Sequence, residues 1–237
     1  MLLKRVKAYL DLCRVSNLPT VWTNVLVALL LAEGKFSWPD FSLLALALSL
    51  FYSGGMCLND LCDAEIDRLK RPTRPLPSGR ISRRGARLLT VLLFATGFSL
   101  LATAPHPQAL LAGTILLLLI VAYDTLHNSL DLSIVLMAGC RLMLFVVTAL
   151  AVSGEVGMSV LFAGTLQFGY VLLISGVARH EKKLSEPYGA PVVPIMLAGI
   201  SLLDGAVVAL LVSPVWLFAG ICGSVITLTC QKFVRGD

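Results

Sequence analysis

A short acidic run in the first third of the chain carries the residues best suited to chemistry. It reads Asn59-Asp60-Leu61-Cys62-Asp63-Ala64-Glu65-Ile66-Asp67-Arg68. On one continuous helix, Asn59, Asp63 and Asp67 follow one another at intervals of four residues, and Asp60 joins the same stripe of oxygens. Repulsion among the carboxylates favours a bound cation, and oxygen ligands suit Mg²⁺ that bridges to phosphates. The alternative is a solvated helix end paired with neighbouring arginines.

Arginines and prolines follow the acidic run at once. The prolines at positions 72, 75 and 77 predict that the helix ends and that the next segment is extended. Arg68 and Arg71 lie beside the acidic stripe, and a guanidinium bonds two phosphate oxygens at once. A cation and arginines next to apolar helices fit a diphosphate with a hydrocarbon tail, such as an isoprenyl diphosphate. The charges would stabilise the leaving diphosphate while an acceptor captures the allylic carbocation.

Eight apolar blocks must position these residues. Of the 237 residues, 57% are hydrophobic and 14% are charged, which excludes a soluble globular class. Each block approaches the length of about 20 residues that a transmembrane helix needs. The blocks lack the alternation of membrane β-strands, so the sequence predicts an all-α, polytopic membrane bundle. They run approximately over residues 15–32, 41–58, 88–104, 108–123, 132–152, 159–178, 192–212 and 215–230.

The distribution of lysine and arginine predicts the orientation. Four of these residues lie before or at the first block, eight between blocks two and three, three between six and seven, and two in the tail. With eight spans these regions share one side, and the other side holds only Lys35. Cytoplasmic loops carry the basic excess, so both termini and the acidic run are expected at the cytoplasmic face of a bacterial inner membrane.

Other features of the chain set its expected organisation and partners. The net charge of +5 lies between apolar blocks and not on a polar face, so nucleic acid is not an expected partner. Residues 1–14 lack the pattern of a cleaved signal peptide. The layout predicts one domain with two repeated halves, about 1–123 and 124–237, because a long polar loop follows blocks two and six. Membrane lipids are expected partners, and the oligomeric state stays open.

The acidic run and the segment after it resemble the first signature of the UbiA superfamily of intramembrane prenyltransferases. The resemblance is carried by Asn59-Asp60-x-x-Asp63-x-x-x-Asp67-Arg68 and by Arg71-Pro72-x-Arg74-Pro75-Leu76-Pro77-Ser78-Gly79-Arg80-Ile81-Ser82. It extends to Arg14-Val15-Ser16-Asn17-Leu18-Pro19-Thr20 with Asn24, and to the helical layout. It implies a helical bundle around a central cavity, in which two cytoplasmic Asp-rich loops bind Mg²⁺ and a prenyl diphosphate.

The resemblance also implies roles for the residues at matching positions. Asn59, Asp63 and Asp67 would bind the first metal ion, with Asp60 in the same stripe. Asp63, Asp67 and Arg68 would form the catalytic group. Contacts to substrate are expected from Arg14, Asn17, Asn24, Arg68, Arg71, Tyr123, His127, Arg141 and Arg179.

Two segments depart from the family pattern. The second Asp-rich motif is replaced by Ala178-Arg179-His180-Glu181-Lys182-Lys183-Leu184-Ser185-Glu186, which contains no Asp. Glu181 would bind a second Mg²⁺ there, directly or through water, or the site holds a single metal ion. Tyr123-Asp124-Thr125-Leu126-His127 carries His where many relatives have a phosphate-binding lysine, and neutral His is a weaker phosphate partner. With Gly139-Cys140-Arg141 and the short length, these departures resemble the branch of the family encoded in ebo-type clusters.

Two charges, Arg141 and Asp204, lie inside apolar blocks, where an unpaired charge costs at least a few kcal/mol. Arg141 either faces the cavity and meets a diphosphate, or pairs with Asp204. The leading hypothesis is Mg²⁺-dependent transfer of a prenyl group from an isoprenyl diphosphate to an aromatic or other lipophilic acceptor. The alternative is a non-catalytic relative that binds or helps export a lipid-like or aromatic metabolite. An ion-coupled transporter using the two buried charges is disfavoured, because the sequence places no polar neighbourhood around them.

Overall fold

A computed structural model describes residues 2–126, 133–181 and 191–234. The regular structure of these residues is entirely helical, with ten α-helices and short 3-10 turns at Val15–Asn17 and Pro214–Trp216. The helices are α1 (Leu2–Leu12), α2 (Leu18–Glu33), α3 (Trp38–Cys62), α4 (Ala64–Lys70), α5 (Arg83–Leu101), α6 (Gln108–Leu126), α7 (Ser133–Val152), α8 (Met158–Glu181), α9 (Val192–Leu211) and α10 (Leu217–Gln231).

Eight helical segments in the described part of the chain are long and apolar enough to cross a membrane. They are α2, α3 and α5 to α10, with α2 and α10 extended by the 3-10 turns before them. The outward faces of these helices are apolar, with Leu111 67% and Phe218 70% exposed. Such surfaces suit lipid and not water. The predictions of an all-α fold and of eight spans are confirmed, and the chain is a multi-pass integral membrane protein.

Helix boundaries differ from the predicted blocks where local capping decides them. The third span starts at Arg83 and not near residue 88, because the Ser82 hydroxyl caps α5 by accepting a hydrogen bond from the Gly85 amide at 3.1 Å. α5 ends at Leu101, before the predicted end at residue 104. The predicted division into halves at residue 123 stays a prediction.

The chain between α3 and α5 corrects two expectations. The acidic run does not lie on one continuous helix, because the chain bends at Asp63 (φ −82°, ψ −4°) between α3 and α4. The amide of Asp67 still donates to the Asp63 carbonyl at 2.8 Å, which keeps the acidic side chains in nearly helical succession. The proline segment is not extended. It folds into successive turns, with the Ser78 amide donating to the Arg74 carbonyl at 3.0 Å.

α2 lies at the centre of the bundle, where it packs against α3, α7, α9 and α10. Its fully buried Val27 and Ala28 join a cluster with Phe145 of α7 and Val208 of α9. Tight packing of this kind fixes helices relative to one another, since interiors leave few voids. The start of α2 is thereby held beside the end of α3, where the acidic run begins.

α9 and α10 are in close contact at glycines. Adding one methyl group at this contact is therefore expected to reduce stability strongly. A Cβ at Gly220 would lie 2.6 Å from the Ser201 carbonyl oxygen and 2.7 Å from the Gly205 Cα. Both obstacles are backbone atoms, so the helices must move apart. We expect Gly220→Ala to destabilise the protein by about 1–3 kcal/mol, measured as thermal unfolding in detergent micelles.

The matched control is Gly169→Ala in α8, where a Cβ would meet nothing within 4 Å. It should leave stability unchanged or raise it by up to about 1 kcal/mol, because Ala is the better helix former. Equal unfolding temperatures for the two variants would contradict the close packing of α9 on α10.

Candidate active site

A cavity of about 900 Å³ lies within the bundle, between α3, α6, α7, α8 and α9. One end is polar and is formed where these helices meet the loops, by Asn59, Asp63, Asp124 and Glu181 together with arginines. The rest is largely apolar, with Phe51, Leu116, Ile120, Leu144, Val171 and Ile200 in its walls. This division suits a ligand with a charged head and a hydrocarbon body.

Asn59 connects three helix ends at the polar end of the cavity. Its amide Nδ2 donates to Asp124 Oδ1 at 3.1 Å, which joins α3 to α6. Its Oδ1 accepts from Arg14 Nη2 at 3.4 Å, which joins α3 to the residue before the first 3-10 turn. Asp63 lies one helical turn beyond Asn59 and also lines the cavity. The sequence places Asp124 in the departing Tyr123 segment but gives no sign of its contact with Asn59.

The donor set at this end fits Mg²⁺ bound together with a diphosphate. Asn59, Asp63 and Glu181 line the cavity and carry amide or carboxylate oxygens. Across the described ranges, no group of three or more His, Cys, Asp or Glu side chains is placed to hold a metal ion by itself. Mg²⁺ commonly binds through one or two carboxylates, water and substrate phosphates, so the chemistry of these residues fits an ion that is bound together with a diphosphate.

Asp60 and Asp67 lie beside the cavity but face a buried arginine. Arg74 Nη1 is 2.7 Å from Asp67 Oδ2 and 3.3 Å from Asp60 Oδ1, and all three side chains are at most 6% exposed. Arg14 adds a second contact to Asp60 at 3.2 Å. The interpretation of an acidic helix end paired with arginines therefore describes these two aspartates, although the pairs are buried and not solvated. The turns of the proline segment carry Arg74 inward, which residue spacing did not indicate.

Arg68 points away from the cavity. It lies on the exposed side of α4, where its Nη1 is 3.2 Å from Glu65 Oε2. Glu65 also accepts a hydrogen bond from Arg83, and this bond, with the charge of Arg68, lowers the pKa of the Glu65 carboxyl. Arg71 and Arg74, by contrast, line the cavity. Because the guanidinium of Arg74 is held by Asp60 and Asp67, Arg71 is the loop arginine best placed to meet a ligand.

Arg14 and Asn17 approach the cavity through an unusual backbone turn. Among the described residues that are not glycine, only Arg14 has a positive φ (47°), a conformation that costs about 1–2 kcal/mol. Asn17 donates from Nδ2 to the Tyr52 hydroxyl at 3.2 Å and accepts from Gln231 Nε2 at 3.0 Å. Both residues line the cavity, and the turn between α1 and α2 directs Arg14 toward Asn59 and Asp60.

The remaining predicted contacts come from α6 and α8. Tyr123 lines the cavity at the end of α6, and Arg179 lines it from the last turn of α8. Arg179 Nη2 donates to Ser133 Oγ at 3.2 Å, which joins α8 to the start of α7. Glu181 is the last residue of α8. His127 and residues 182–186 of the second acidic segment lie outside the described residues.

Arg141 and Asp204 are linked through Asn24 and are not in direct contact. Arg141 Nη1 donates to Asn24 Oδ1 at 2.8 Å, and Asn24 Nδ2 donates to Asp204 Oδ2 at 2.8 Å. Asp204 also accepts from Thr23 at 2.6 Å and from Gln167 at 2.7 Å. The expectation that these charges lack a polar neighbourhood is wrong, because helix packing assembles one from distant segments. Arg141 lines the cavity, whereas Asn24 is buried behind it.

Comparison with known sequences gives a family match over most of the chain and shorter matches to individual proteins. Residues 18–231 match the sequence pattern of the UbiA prenyltransferase family. Over 92 residues the chain is 41% identical to digeranylgeranylglyceryl phosphate synthase of Sulfolobus acidocaldarius, and over 95 residues it is 38% identical to the Methanoculleus marisnigri synthase of the same name. These alignments cover 39% and 40% of this chain and 34% of each synthase, about a third of the relatives' length.

Solved structures share the fold over most of the chain. A UbiA homologue from Archaeoglobus fulgidus bound to GPP and Mg²⁺ superposes with a TM-score of 0.63, at 18% identity, over 92% of this chain and 86% of that one. The apo structure of a homologue from Aeropyrum pernix gives a TM-score of 0.57, at 18% identity, over 93% and 94%. At this identity the likeness establishes the arrangement of helices.

Proposed function

The chain belongs to the UbiA prenyltransferase family, and from this we propose that it transfers a prenyl group from an isoprenyl diphosphate to a lipophilic acceptor, with Mg²⁺ bound at the polar end of the cavity. The resemblance found in the sequence is confirmed by the match over residues 18–231. Assignment to the ebo-type branch stays a prediction.

The cavity is the observation that carries the proposal. Asn59, Asp63 and Glu181 offer oxygen ligands at its polar end, and Arg71 and Arg179 line the same cavity. A diphosphate carries several negative charges, which these arginines and a divalent cation would balance. The apolar walls beyond them suit a hydrocarbon tail.

Each group in the site has a defined task in the proposed reaction. Arg71 and Arg179 would bind diphosphate oxygens, and bound Mg²⁺ would supply the charge that stabilises the leaving group. The C1–O bond of the donor breaks, and its electron pair leaves with the diphosphate. The apolar walls keep water from the allylic cation. The acceptor forms the new bond to C1 and releases a proton, for which Asp124 at the cavity wall would serve as the base.

Asp60, Asp67 and Arg14 have a supporting role in this proposal. Their contacts with Arg74 and Asn59 hold the loop and the first 3-10 turn against the end of α3. This arrangement would keep Asn59 and Asp63 in place as the diphosphate binds. Contacts of this kind fix the orientation of a metal-binding side chain, which a mobile loop would leave variable.

The names of the similar synthases suggest a class of acceptor, and the distribution of lysine and arginine suggests the side of the membrane on which the site lies. The two similar synthases are named for a product that carries geranylgeranyl groups on glyceryl phosphate, which supports a lipid among the aromatic and lipophilic acceptors considered. The basic excess supports a site at the cytoplasmic face of the membrane, with both termini on that side. Location in a bacterial inner membrane stays a prediction.

The second candidate function is a non-catalytic protein that binds or helps export a lipid-like or aromatic metabolite. The observation in its favour is the absence of Asp from residues 178–186, where the family usually has its second acidic motif. Such a protein would retain an isoprenyl diphosphate without cleaving it. Turnover therefore separates the two functions.

Metal removal tests the proposed function directly. Purified protein in nanodiscs is incubated with geranyl, farnesyl or geranylgeranyl diphosphate and a panel of phenolic and lipid acceptors, and product is detected by mass spectrometry. We expect transfer with Mg²⁺, a loss of at least about 100-fold in EDTA, and recovery when Mg²⁺ is restored. Tight donor binding without diphosphate release in every reaction would refute transfer and support the non-catalytic function.

A further inference from the structure

One cavity arginine stands apart from the others. Arg141 follows Ser133, the first residue of α7, by eight positions, so it lies about 12 Å along the helix from the polar end. Arg14, Arg71, Arg74 and Arg179 all lie in loops or in the last turn of a helix. Arg141 therefore brings a positive charge to a part of the cavity that lies away from the polar end.

The contacts of Arg141 leave part of its guanidinium without a protein acceptor. Nη1 donates to Asn24 Oδ1 at 2.8 Å, and Nη2 donates to Thr20 Oγ1 at 3.1 Å. A guanidinium has five N–H groups, so among the described residues the other three have no acceptor. The guanidinium carbon lies 5.8 Å from the centre of the Tyr52 ring, which also lines the cavity.

If Arg141 and Asp204 formed a purely structural ion pair, their side chains would be in direct contact. Asp204, which is 2% exposed, accepts from Thr23, Asn24 and Gln167 and does not contact Arg141 directly. Its charge is satisfied by neutral donors and supports Arg141 from behind Asn24. This arrangement lowers the cost of a cation inside the membrane while its open N–H groups stay available to a ligand.

The surroundings define the chemistry of that ligand. Met137, Leu144 and Leu197 line the same cavity as Arg141. Asn24 and Thr20 hold one side of the guanidinium, whereas apolar side chains line the cavity that it faces. Beside such apolar walls a guanidinium pairs strongly with an anion, and its planar shape suits two oxygens of one carboxylate or phosphate. In the proposed function, the donor diphosphate is bound by the arginines and oxygen ligands of the polar end. The donor C1 must therefore lie next to that end.

We propose that Arg141 is an acceptor-specificity residue, whose guanidinium binds an anionic oxygen group on the acceptor. This inference rests on the proposed function and deepens it, because it names the acceptor as an amphiphile with a carboxylate or a phosphate. The anion sits deep in the cavity, and the nucleophilic atom of the acceptor is directed toward donor C1 at the polar end. Neutral acceptors of the same shape are rejected, because they leave the buried cation unpaired.

Binding without donor or Mg²⁺ tests this site separately from catalysis. Benzoate, phenyl phosphate and benzamide are titrated calorimetrically, in EDTA, into the protein held in nanodiscs. We expect the wild type to bind benzoate or phenyl phosphate at least about 10-fold more tightly than benzamide, and the tighter anion identifies the headgroup. Arg141→Gln should remove this preference. Arg87→Gln, which removes an exposed charge from α5, should retain it.

Further variants and a second ligand test whether a lost preference reflects misfolding of the protein or a role of Arg141 in donor binding. Arg141→Lys should keep part of the preference, because it keeps the charge and loses the planar fork. Arg141→Gln with Asp204→Asn removes both buried charges and should also lose the preference while folding. Binding of inorganic pyrophosphate with Mg²⁺ should change less than about 3-fold in Arg141→Gln, a difference of under about 0.7 kcal/mol.

Two results would overturn the inference. Equal binding of benzoate and benzamide to the wild type would show that no anion site exists. A loss of pyrophosphate binding in Arg141→Gln equal to the loss of benzoate binding would assign Arg141 to the donor. Failure of the proposed function gives a different result, since anion binding would persist while no prenyl transfer occurs with any donor.

Discussion

Asp63→Asn is expected to lower prenyl transfer by about 100-fold or more without unfolding the protein. The substitution keeps the size and shape of the side chain but removes one of the carboxylates that line the polar end of the cavity. Loss of a metal-binding charge weakens both Mg²⁺ affinity and stabilisation of the leaving diphosphate, and each effect is worth about 10–100-fold or more. Initial rates of diphosphate release across a Mg²⁺ titration would separate the two effects.

The matched control for Asp63→Asn is Glu65→Gln, two residues further along the chain. Glu65 is 67% exposed and pairs with Arg68 and Arg83 on the outer side of α4. Its loss should leave the rate within about 2-fold of wild type, because screened surface charges contribute little. The proposed metal site would be contradicted by an Asp63→Asn variant that turns over at the wild-type rate, or by equal losses in both variants.

Arg74→Met should be the most destabilising single substitution among the arginines between α3 and α5. Arg74 is buried between Asp60 and Asp67, at 3.3 and 2.7 Å. Removing one partner of a buried ion pair costs about 3–5 kcal/mol, because the remaining charge is left without compensation. Here Asp67 would lose its arginine, and Asp60 would keep only its contact with Arg14. Urea or thermal unfolding in detergent, followed by circular dichroism, measures the change.

Two further variants show whether the cost comes from burial of charge. Arg68→Met removes an arginine from the same loop region, but its pair with Glu65 is solvent-exposed, so stability should barely change. Adding Asp60→Asn and Asp67→Asn to Arg74→Met should recover much of the lost stability, because no unpaired carboxylate remains. If Arg68→Met were as harmful as Arg74→Met, or the added substitutions gave no recovery, the buried pairs would not stabilise the loop.

Local sequence determined the membrane-spanning architecture. An apolar block of about 20 residues has one stable solution in lipid, a helix that satisfies its own backbone hydrogen bonds. The eight predicted spans therefore correspond to the eight observed ones. The spacing of the acidic run also predicted that Asn59 and Asp63 lie on one side of the helix. Both lie near the end of α3, and both line the cavity.

The tertiary structure decided which charges meet. Asn59 contacts Asp124, which is 65 positions away, and Asn24 contacts Asp204 across 180 positions. Spacing along the chain carries no information about such pairs, since they depend on which helices pack together. For the same reason the sequence favoured Arg68 over Arg74. The directions of Arg68 and Arg74 follow from the bend at Asp63 and the turns after Arg71, and residue spacing alone specifies neither of these features.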